Sequence, residues 1–301
     1  RGRGRRSDEE IDRARGALLG LAVGDALGAA LEWLHPDQIH ARYGGELRDM
    51  VRSTLWERGE WTDDTAMALE LATSLVECAG YDEDDVFARY ALWARSGPKD
   101  IGATVSAVLT RARDAGEARA LAAAHHQASG GKSAGNGSLM RTVPIALCFG
   151  RDHGELERVS RQDSSLTHHD PIAGDACVWF NLTVAALMRG RRLPTSSSPV
   201  AAAAAAAIGA DRDTLGLEVQ EQVGYVLTAL RVGFAAAFGH DSFERAVVFA
   251  ANLGGDADTN AAVAGALAGA RFGAAGIPER WLEPLYQRAP ISGLATRLLR
   301  A

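Results

Sequence analysis

Asp12-Arg13-Ala14-Arg15-Gly16-Ala17-Leu18-Leu19-Gly20-Leu21-Ala22-Val23-Gly24-Asp25-Ala26-Leu27 is the stretch whose reading decides the architecture. Its apolar residues cover a broad helical face. Gly16, Gly20 and Gly24 recur every fourth residue, so they share one side of a helix and allow a second helix to come close. Similar helical patterning continues through Asp64–Ala79, Asp82–Arg95, Ile101–Ala112, Glu117–His126, Leu139–Phe149 and Leu156–Leu166. Beyond these come Ile172–Arg189, Leu215–Phe238, Ser242–Leu253, Asp258–Phe272, and a closing pair beginning at Pro278 and Ile291. Alternating polarity is scarce and β-branched residues are not clustered as strands require. The expected fold is therefore all-α, with many short-to-medium helices in one compact domain packed through Ala and Gly.

Leu193-Pro194-Thr195-Ser196-Ser197-Ser198-Pro199 is the clearest loop. It is read as a surface connection, because the acidic cluster beyond it needs a partner in the first half. The alanine run Ala201–Ala207 is either a good helix or a tolerated insertion.

Composition bounds the function. The 301 residues are 47% hydrophobic and 23% charged, long enough for a large core, and no uninterrupted apolar stretch reads as long enough to cross a bilayer. A net charge of -6 argues against the basic surface that sequence-independent nucleic-acid binding needs. The locally basic Arg1-Gly2-Arg3-Gly4-Arg5-Arg6 is followed by Ser7-Asp8-Glu9-Glu10 where an export signal would be apolar, so residues 1–10 are expected to be a flexible tail ahead of a domain over 11–301. Lacking an initiator Met, the chain is expected to be trimmed. Cys78, Cys148 and Cys177 each lie in an apolar run without CxxC spacing. They read as reduced core residues of a cytoplasmic protein. The expected oligomeric state is monomer.

Two acidic clusters carry the chemistry: Trp61-Thr62-Asp63-Asp64-Thr65 and Gly254-Gly255-Asp256-Ala257-Asp258-Thr259-Asn260. Each opens an apolar, alanine-rich helical run. Separately they are ordinary helix starts, where Asp and Thr are favoured. Face to face, four acids would repel one another unless cations neutralised them, and oxygen donors without His or Cys select Mg²⁺, Mn²⁺ or Ca²⁺ over Zn²⁺. The second cluster is no EF-hand, since Ala261 stands where Gly is required and Leu267 where an acid should close the loop.

Other segments are weaker alone. Asp25 lies among Gly and apolar residues, where a free charge is costly, and is expected to accept hydrogen bonds that fix the helix end. Glu32 follows in a loop from which it can reach a cleft. Ser133-Ala134-Gly135-Asn136-Gly137-Ser138-Leu139-Met140-Arg141 is a Gly-rich turn that can cradle a phosphate, though it is not a P-loop. Thr167-His168-His169-Asp170-Pro171 suggests helix-start packing or substrate contact rather than zinc, because adjacent histidines cannot ligate one ion as an i, i+4 pair can. His125-His126 reads as surface, and Asp100 as a helix cap.

Taken in order, these segments strongly resemble the ADP-ribosylglycohydrolase family. The resemblance rests on Gly20–Gly28 with Glu32, then Trp61–Thr65, Gly135–Arg141 with Pro144, Thr167-His168, and Gly254–Thr259. It spans nearly the whole chain from about residue 12 and resembles the bacterial dinitrogenase reductase-activating type. It implies an all-α fold with two Mg²⁺ or Mn²⁺ ions in a central cleft, and removal of ADP-ribose from a modified side chain, arginine in the bacterial type and serine in another branch. Thr62, Asp63, Asp64, Asp256, Asp258 and Thr259 match the family's metal ligands. Glu32 matches an acidic residue beside the metals and Asp100 an acid proposed for catalysis in the bacterial type, with Glu32 expected to be the catalytic general base or acid and Asp100 its support. Gly135, Asn136, Gly137, Ser138, Leu139 and Met140 match the loop holding the diphosphate and distal ribose, and His168 a residue lining the cleft. The expected partner is an ADP-ribosylated protein, arginine-linked, or free ADP-ribose.

Two departures bear on the leaving group: Arg52-Ser53-Thr54-Leu55 replaces a Gly run, and the Pro194–Ala207 stretch looks specific to this chain. Alternatives are a serine-linked or small-molecule ADP-ribose hydrolase, a non-catalytic ADP-ribose-binding module, and a metal-dependent phosphohydrolase.

Overall fold

The computed structural model describes residues 7–301, so the Arg1–Arg6 part of the expected tail lies outside the described residues. Sixteen α-helices and one 3-10 turn make up the regular structure there, without a strand. In order they are α1 (Asp8–Gly28), α2 (Pro36–Tyr43), α3 (Asp63–Glu77), α4 (Glu83–Arg95), α5 (Ala103–Leu109), α6 (Ala115–Ala128), α7 (Val143–Phe149) and α8 (His153–Ser165). Then follow α9 (Pro171–Met188), α10 (Pro199–Ala207), α11 (Arg212–Glu221), α12 (Val226–Gly239), α13 (Phe243–Ala251), α14 (Ala257–Phe272), α15 (Glu279–Leu282) and α16 (Arg288–Leu298).

The centre of the molecule is the antiparallel pair α1 and α14, both wrapped by neighbours and buried nearly all round. A Cβ built at Gly16, Gly20, Gly24 or Gly28 would overlap the backbone carbonyl of Gly269, Gly265, Ala261 or Ala257 respectively. The four-residue glycine spacing is thus a seam, matched on α14 by its own row of small residues at the same interval. A glycine inside a helix costs about 1 kcal/mol relative to alanine. Here that cost is offset by packing between backbones that any side chain would separate. The seam also fixes register, because it brings the C-terminal end of α1 beside the N-terminal end of α14.

Helix ends follow local chemistry. Ser7 caps α1 by accepting from the Glu10 backbone N–H, with Asp8, Glu9 and Glu10 in the first turn. Residues 8–10 are therefore helix rather than tail, and α1 starts four residues before the expected Asp12. Helix α2 was not anticipated; Pro36 at its start, a His35/Gln38 capping box and Gly44 in the left-handed region delimit it. The run expected as one helix over Leu215–Phe238 is two, α11 and α12, broken at Gln222–Tyr225, where Gly224 takes φ +77°. Helix α10 resolves the alanine run as a helix, burying Val200, Ala201, Ala204 and Ala207.

Two composition readings need correction. Among the described residues α9 is apolar enough by length and mean hydropathy (1.4) to cross a bilayer, yet 67% of it is buried inside the protein. It packs against α8, α7 and α14 as a core helix. Of the three cysteines only Cys177 is buried; Cys148 is half-buried, and Cys78 is exposed just past the end of α3 at Glu77.

Candidate metal centre and substrate cleft

The seam delivers the two acidic clusters to one place. Thr62 caps α3 and presents Asp63 and Asp64 in its first turn. Gly254 and Gly255, at φ +70° and +60°, make the tight turn before α14, and a Cβ at Gly254 would overlap the Leu34 carbonyl. Reciprocal backbone bonds, Trp33 N–H to Gly255 O at 2.7 Å and Gly255 N–H to Leu34 O at 2.9 Å, tie this turn to the loop carrying Glu32. Asp256 stands at the N-cap position without capping; its Oδ2 instead accepts from Asn136 Nδ2 at 2.7 Å.

Across the gap, Thr62 Oγ1 lies 3.4 Å from Asp258 Oδ2, and Thr259 Oγ1 donates to Asp64 Oδ2 at 3.2 Å. Carboxylate oxygens of Asp63, Asp64 and Asp258 lie within 4.8 Å of one another, and so do those of Glu32, Asp100 and Asp258. The two triads share Asp258. Beneath them Asp25 is fully buried and accepts from the Thr62 N–H (3.0 Å), the Thr65 N–H (3.0 Å) and the Thr65 hydroxyl (2.5 Å). Asp25 therefore fixes the helix end, as expected, but the end it fixes is the start of α3. Thr65 serves Asp25 and does not face the triads.

The electrostatics of this cluster call for cations. Burial, with neighbouring carboxylates adding to it, pushes Asp63 up to about 7 and Glu32 up to about 8; burial alone pushes Asp25 up to about 6 against four opposing hydrogen bonds. Asp64 and Asp258 are held well above the usual carboxylate range, chiefly by burial and then by nearby carboxylates. Asp64 Oδ1 and Asp258 Oδ1 are buried without a hydrogen-bond partner. Buried acceptors normally find partners, so two orphaned oxygens in an all-oxygen cluster fit hard divalent ions. Asp63, Asp64, Asp258, Glu32 and Asp100 are the residues that could hold them, with Thr62, Thr259 and Asp256 adjoining.

Asp100 is not a cap. Helix α5 begins three residues later, behind Gly102, and has no side-chain cap, while Asp63 Oδ2 accepts from the Gly102 N–H at 3.2 Å. This link draws the 100–102 segment onto the cluster and leaves Asp100 facing Glu32.

The carboxylates line a cleft of about 450 Å³ whose opposite wall contains Gly135, Asn136, Gly137, Met140 and His168. Ser138 and Leu139 do not line it: Leu139 is fully buried, and the buried Ser138 hydroxyl accepts from Ser164 Oγ at 2.8 Å. Both of these side chains lie in the core. The Asn136 N–H donates to Gly224 O at 2.9 Å, lacing the Gly-rich turn to the 222–225 break. A second cavity of about 550 Å³, lined in part by His125, Ser133, Asp170 and Tyr225, shares Thr104, Gly135, Val223 and Gly224 with the first. The two form one groove. His125 is accordingly half-buried on the groove wall rather than a surface residue.

His168 is buried and faces the cleft, whereas His169 is exposed and stacks near His126 with ring centroids 5.3 Å apart. The adjacent histidines diverge, as expected of a pair unable to share an ion. Sequence reasoning missed Val223-Gly224, Thr104 and Trp33 on the cleft. The Gly at 224 was the available signal for the break; Trp33, 69% exposed beside Glu32, gave none beyond its position.

An all-α chain whose groove ends in buried acidic triads that could hold divalent cations fits the class of a hydrolase. The model of the ADP-ribosylglycohydrolase family matches residues 6–301. An ADP-ribosylarginine hydrolase Tri1 of Serratia proteamaculans is 32% identical over 96% of this chain and 80% of its own. The ADP-ribosyl-[dinitrogen reductase] glycohydrolase of Rhodospirillum rubrum is 34% identical over 91% of this chain and 90% of its own. A solved structure described as an ADP-ribosylglycohydrolase-related protein complex superposes with a TM-score of 0.74 at 33% identity, over 98% of this chain and 99% of that one. The chain belongs to the ADP-ribosylglycohydrolase family. It is an ADP-ribosyl hydrolase, all-α as its sequence led us to expect.

Proposed function

We propose that the protein releases ADP-ribose from arginine side chains of modified proteins, with two Mg²⁺ or Mn²⁺ ions held around Asp258 beside Glu32. The observation that carries this reading is the pairing of the two acidic triads with a groove walled by the Gly135–Gly137 turn and His168. The arginine linkage draws on relatives: those at 32% and 34% identity are named for arginine and dinitrogen reductase, whereas human ADP-ribosylhydrolase ARH3 is 26% identical over 90% of this chain. The free thiols of Cys78 and Cys177 support a reducing, cytoplasmic setting.

The reaction breaks the bond from the anomeric carbon to the guanidine nitrogen and forms one to a water oxygen, through a transition state with oxocarbenium character. Bound divalent cations would supply positive charge to ribose hydroxyls and to the attacking water. Glu32, beside Asp100 and Asp258 at the floor of the cleft, takes the water proton and returns it to the departing guanidine. Asp100 supports Glu32 by its neighbouring negative charge, which raises the proton affinity of the Glu32 carboxylate after burial has done so. Asn136, anchored by Asp256, and the glycine turn hold the nucleotide end.

Incubation with arginine- and serine-linked ADP-ribosyl peptides, with Mg²⁺, Mn²⁺ or chelator, tests this. Cation-dependent release from the arginine peptide is expected. Release confined to the serine peptide would move the linkage, stoichiometric binding without release would make the protein a binding module, and inorganic phosphate would make it a phosphohydrolase.

A further inference from the structure

Behind the glycine turn lies a buried polar chain that the proposed chemistry does not use. Arg141 is fully buried, with Nε 3.1 Å from Asp163 Oδ2, Nη2 donating to Asp163 O at 2.8 Å, and its guanidinium over the Tyr90 ring at 4.6 Å. Tyr90 in turn donates to Asp163 Oδ1 at 2.9 Å. The guanidinium is thereby immobilised, and its Nη1 donates to Thr167 Oγ1 at 2.9 Å. Thr167 Oγ1 lies 2.8 Å from His168 Nδ1.

We infer that Thr167, held by Arg141, is a positioning residue that fixes His168 as the neutral Nε2–H tautomer, so that the ring donates a hydrogen bond into the cleft. Arginine has donors only, so its contact occupies a lone pair of the Thr167 oxygen. That leaves one hydroxyl proton to place. Among the described residues Nδ1 of His168 is the other hydrogen-bond neighbour of this fully buried oxygen, and directing the proton elsewhere would leave a buried donor unpaired. Nδ1 therefore accepts, and the ring's own proton sits on Nε2.

The ring has little room to turn. A Cβ at Gly137 would lie 2.9 Å from His168 Cε1, and one at Gly135 would lie 3.1 Å from Nε2. These two glycines let the Nε2 edge meet the backbone of the cleft wall. Burial first, then the Arg141 charge and His125, push the imidazole down to about 3, consistent with a ring that stays neutral. The acceptor it suits is an oxygen of a phosphorylated ligand lying along the Gly135–Gly137 turn. His168 then acts as a fixed donor rather than an acid or base.

Long-range ¹H–¹⁵N spectra of the labelled full chain read the tautomer directly, without any variant. The expected pattern has unprotonated Nδ1 and protonated Nε2, constant between about pH 5 and 8, where a free imidazole titrates. Protonated Nδ1, or titration in that range, would overturn the inference. ADP-ribose as probe should shift the Nε2 signal; saturable binding that leaves the signal unmoved would remove the donor role. Thr167→Val should mix the tautomers and raise both the ADP-ribose Kd and KM about tenfold with kcat little changed, and Thr167→Ser should restore wild-type values. An unchanged tautomer in folded Thr167→Val would sink the positioning role. The ligand arm rests on the function proposed above and the tautomer arm does not: failure to bind ADP-ribose with the expected spectrum would count against that function alone.

Discussion

Thr259 donates its hydroxyl to Asp64 Oδ2 at 3.2 Å across 195 residues of sequence. Thr62 approaches Asp258 in the same way from the opposite helix. Each cluster thus supplies the hydroxyl nearest the other's carboxylate, and the second oxygens, Asp64 Oδ1 and Asp258 Oδ1, remain buried without partners. One hydroxyl per carboxylate does not compensate a desolvated charge. The site's stability therefore depends on protons or cations.

That dependence has a sign. Asp25, Asp63 and Glu32 bind protons more tightly in the folded chain, at about 6, 7 and 8, than carboxylates do when unfolded, near about 4. Their contribution to stability is fully present below the unfolded value and is lost as pH rises through the folded values. With chelator present, the melting temperature should fall between about pH 5 and 8 from this source. With Mg²⁺ or Mn²⁺ the gain over chelator should grow with pH, because binding expels the protons. A cation-induced shift in melting temperature that is absent, or independent of pH, would remove the metal reading.

Thr65 should matter although it does not face the triads. Its hydroxyl and N–H both reach Asp25 Oδ2 and stabilise the ionised carboxylate under the start of α3. Thr65→Val keeps the shape but removes the hydroxyl. Chemical denaturation should show a loss of about 1–3 kcal/mol, and calorimetry a Mn²⁺ affinity weakened about tenfold or more. Equal loss of stability with unchanged metal affinity would confine Asp25 to a structural role.

The glycine seam makes an opposite prediction from helix propensity. Alanine in place of a mid-helix glycine ordinarily stabilises by up to about 1 kcal/mol. At Gly20 or Gly24 the new methyl would collide with the Gly265 or Ala261 carbonyl, so Gly20→Ala and Gly24→Ala should destabilise by about 1–3 kcal/mol or more. Activity should fall as well, since the seam sets Asp25 against Asp258. Gly293→Ala on α16, where a Cβ meets nothing within 4 Å, serves as the control and should be neutral or stabilising.

These cases also mark what the sequence disclosed. Glycine spacing on α1 and acid-rich helix starts at Asp63 and Asp258 are local patterns with a direct structural meaning, and both could be read. Helix α2 was missed because it is short and mostly polar, burying only Ile39, and the break at Gln222–Tyr225 because apolar periodicity runs past it and a single Gly224 is a weak stop. The placement of Ser138 and Leu139 in the core, and the Asp163–Arg141–Thr167 chain, depend on which helices become neighbours. No local signal carries that information. Asp100 shows the same limit: its position suggested a cap, and only the Gly102–Asp63 contact turns it toward Glu32.

Glu32 carries the most direct test of the chemistry. Its carboxylate is crowded by Asp100, Asp256, Asp63 and Asp25 in addition to burial, so it exchanges protons more readily near neutral pH than an ordinary glutamate. Glu32→Gln keeps the volume and relieves the repulsion while removing the exchangeable proton. Folding and ADP-ribose binding should persist, and kcat on an arginine-linked peptide should drop by about 10²- to 10⁴-fold. Asp100→Asn should cost less and act mainly through Glu32, lowering the pH at which activity rises because one repelling charge is gone. Near-normal turnover in Glu32→Gln would exclude it as the proton carrier, and a deeper loss in Asp100→Asn than in Glu32→Gln would exchange their roles.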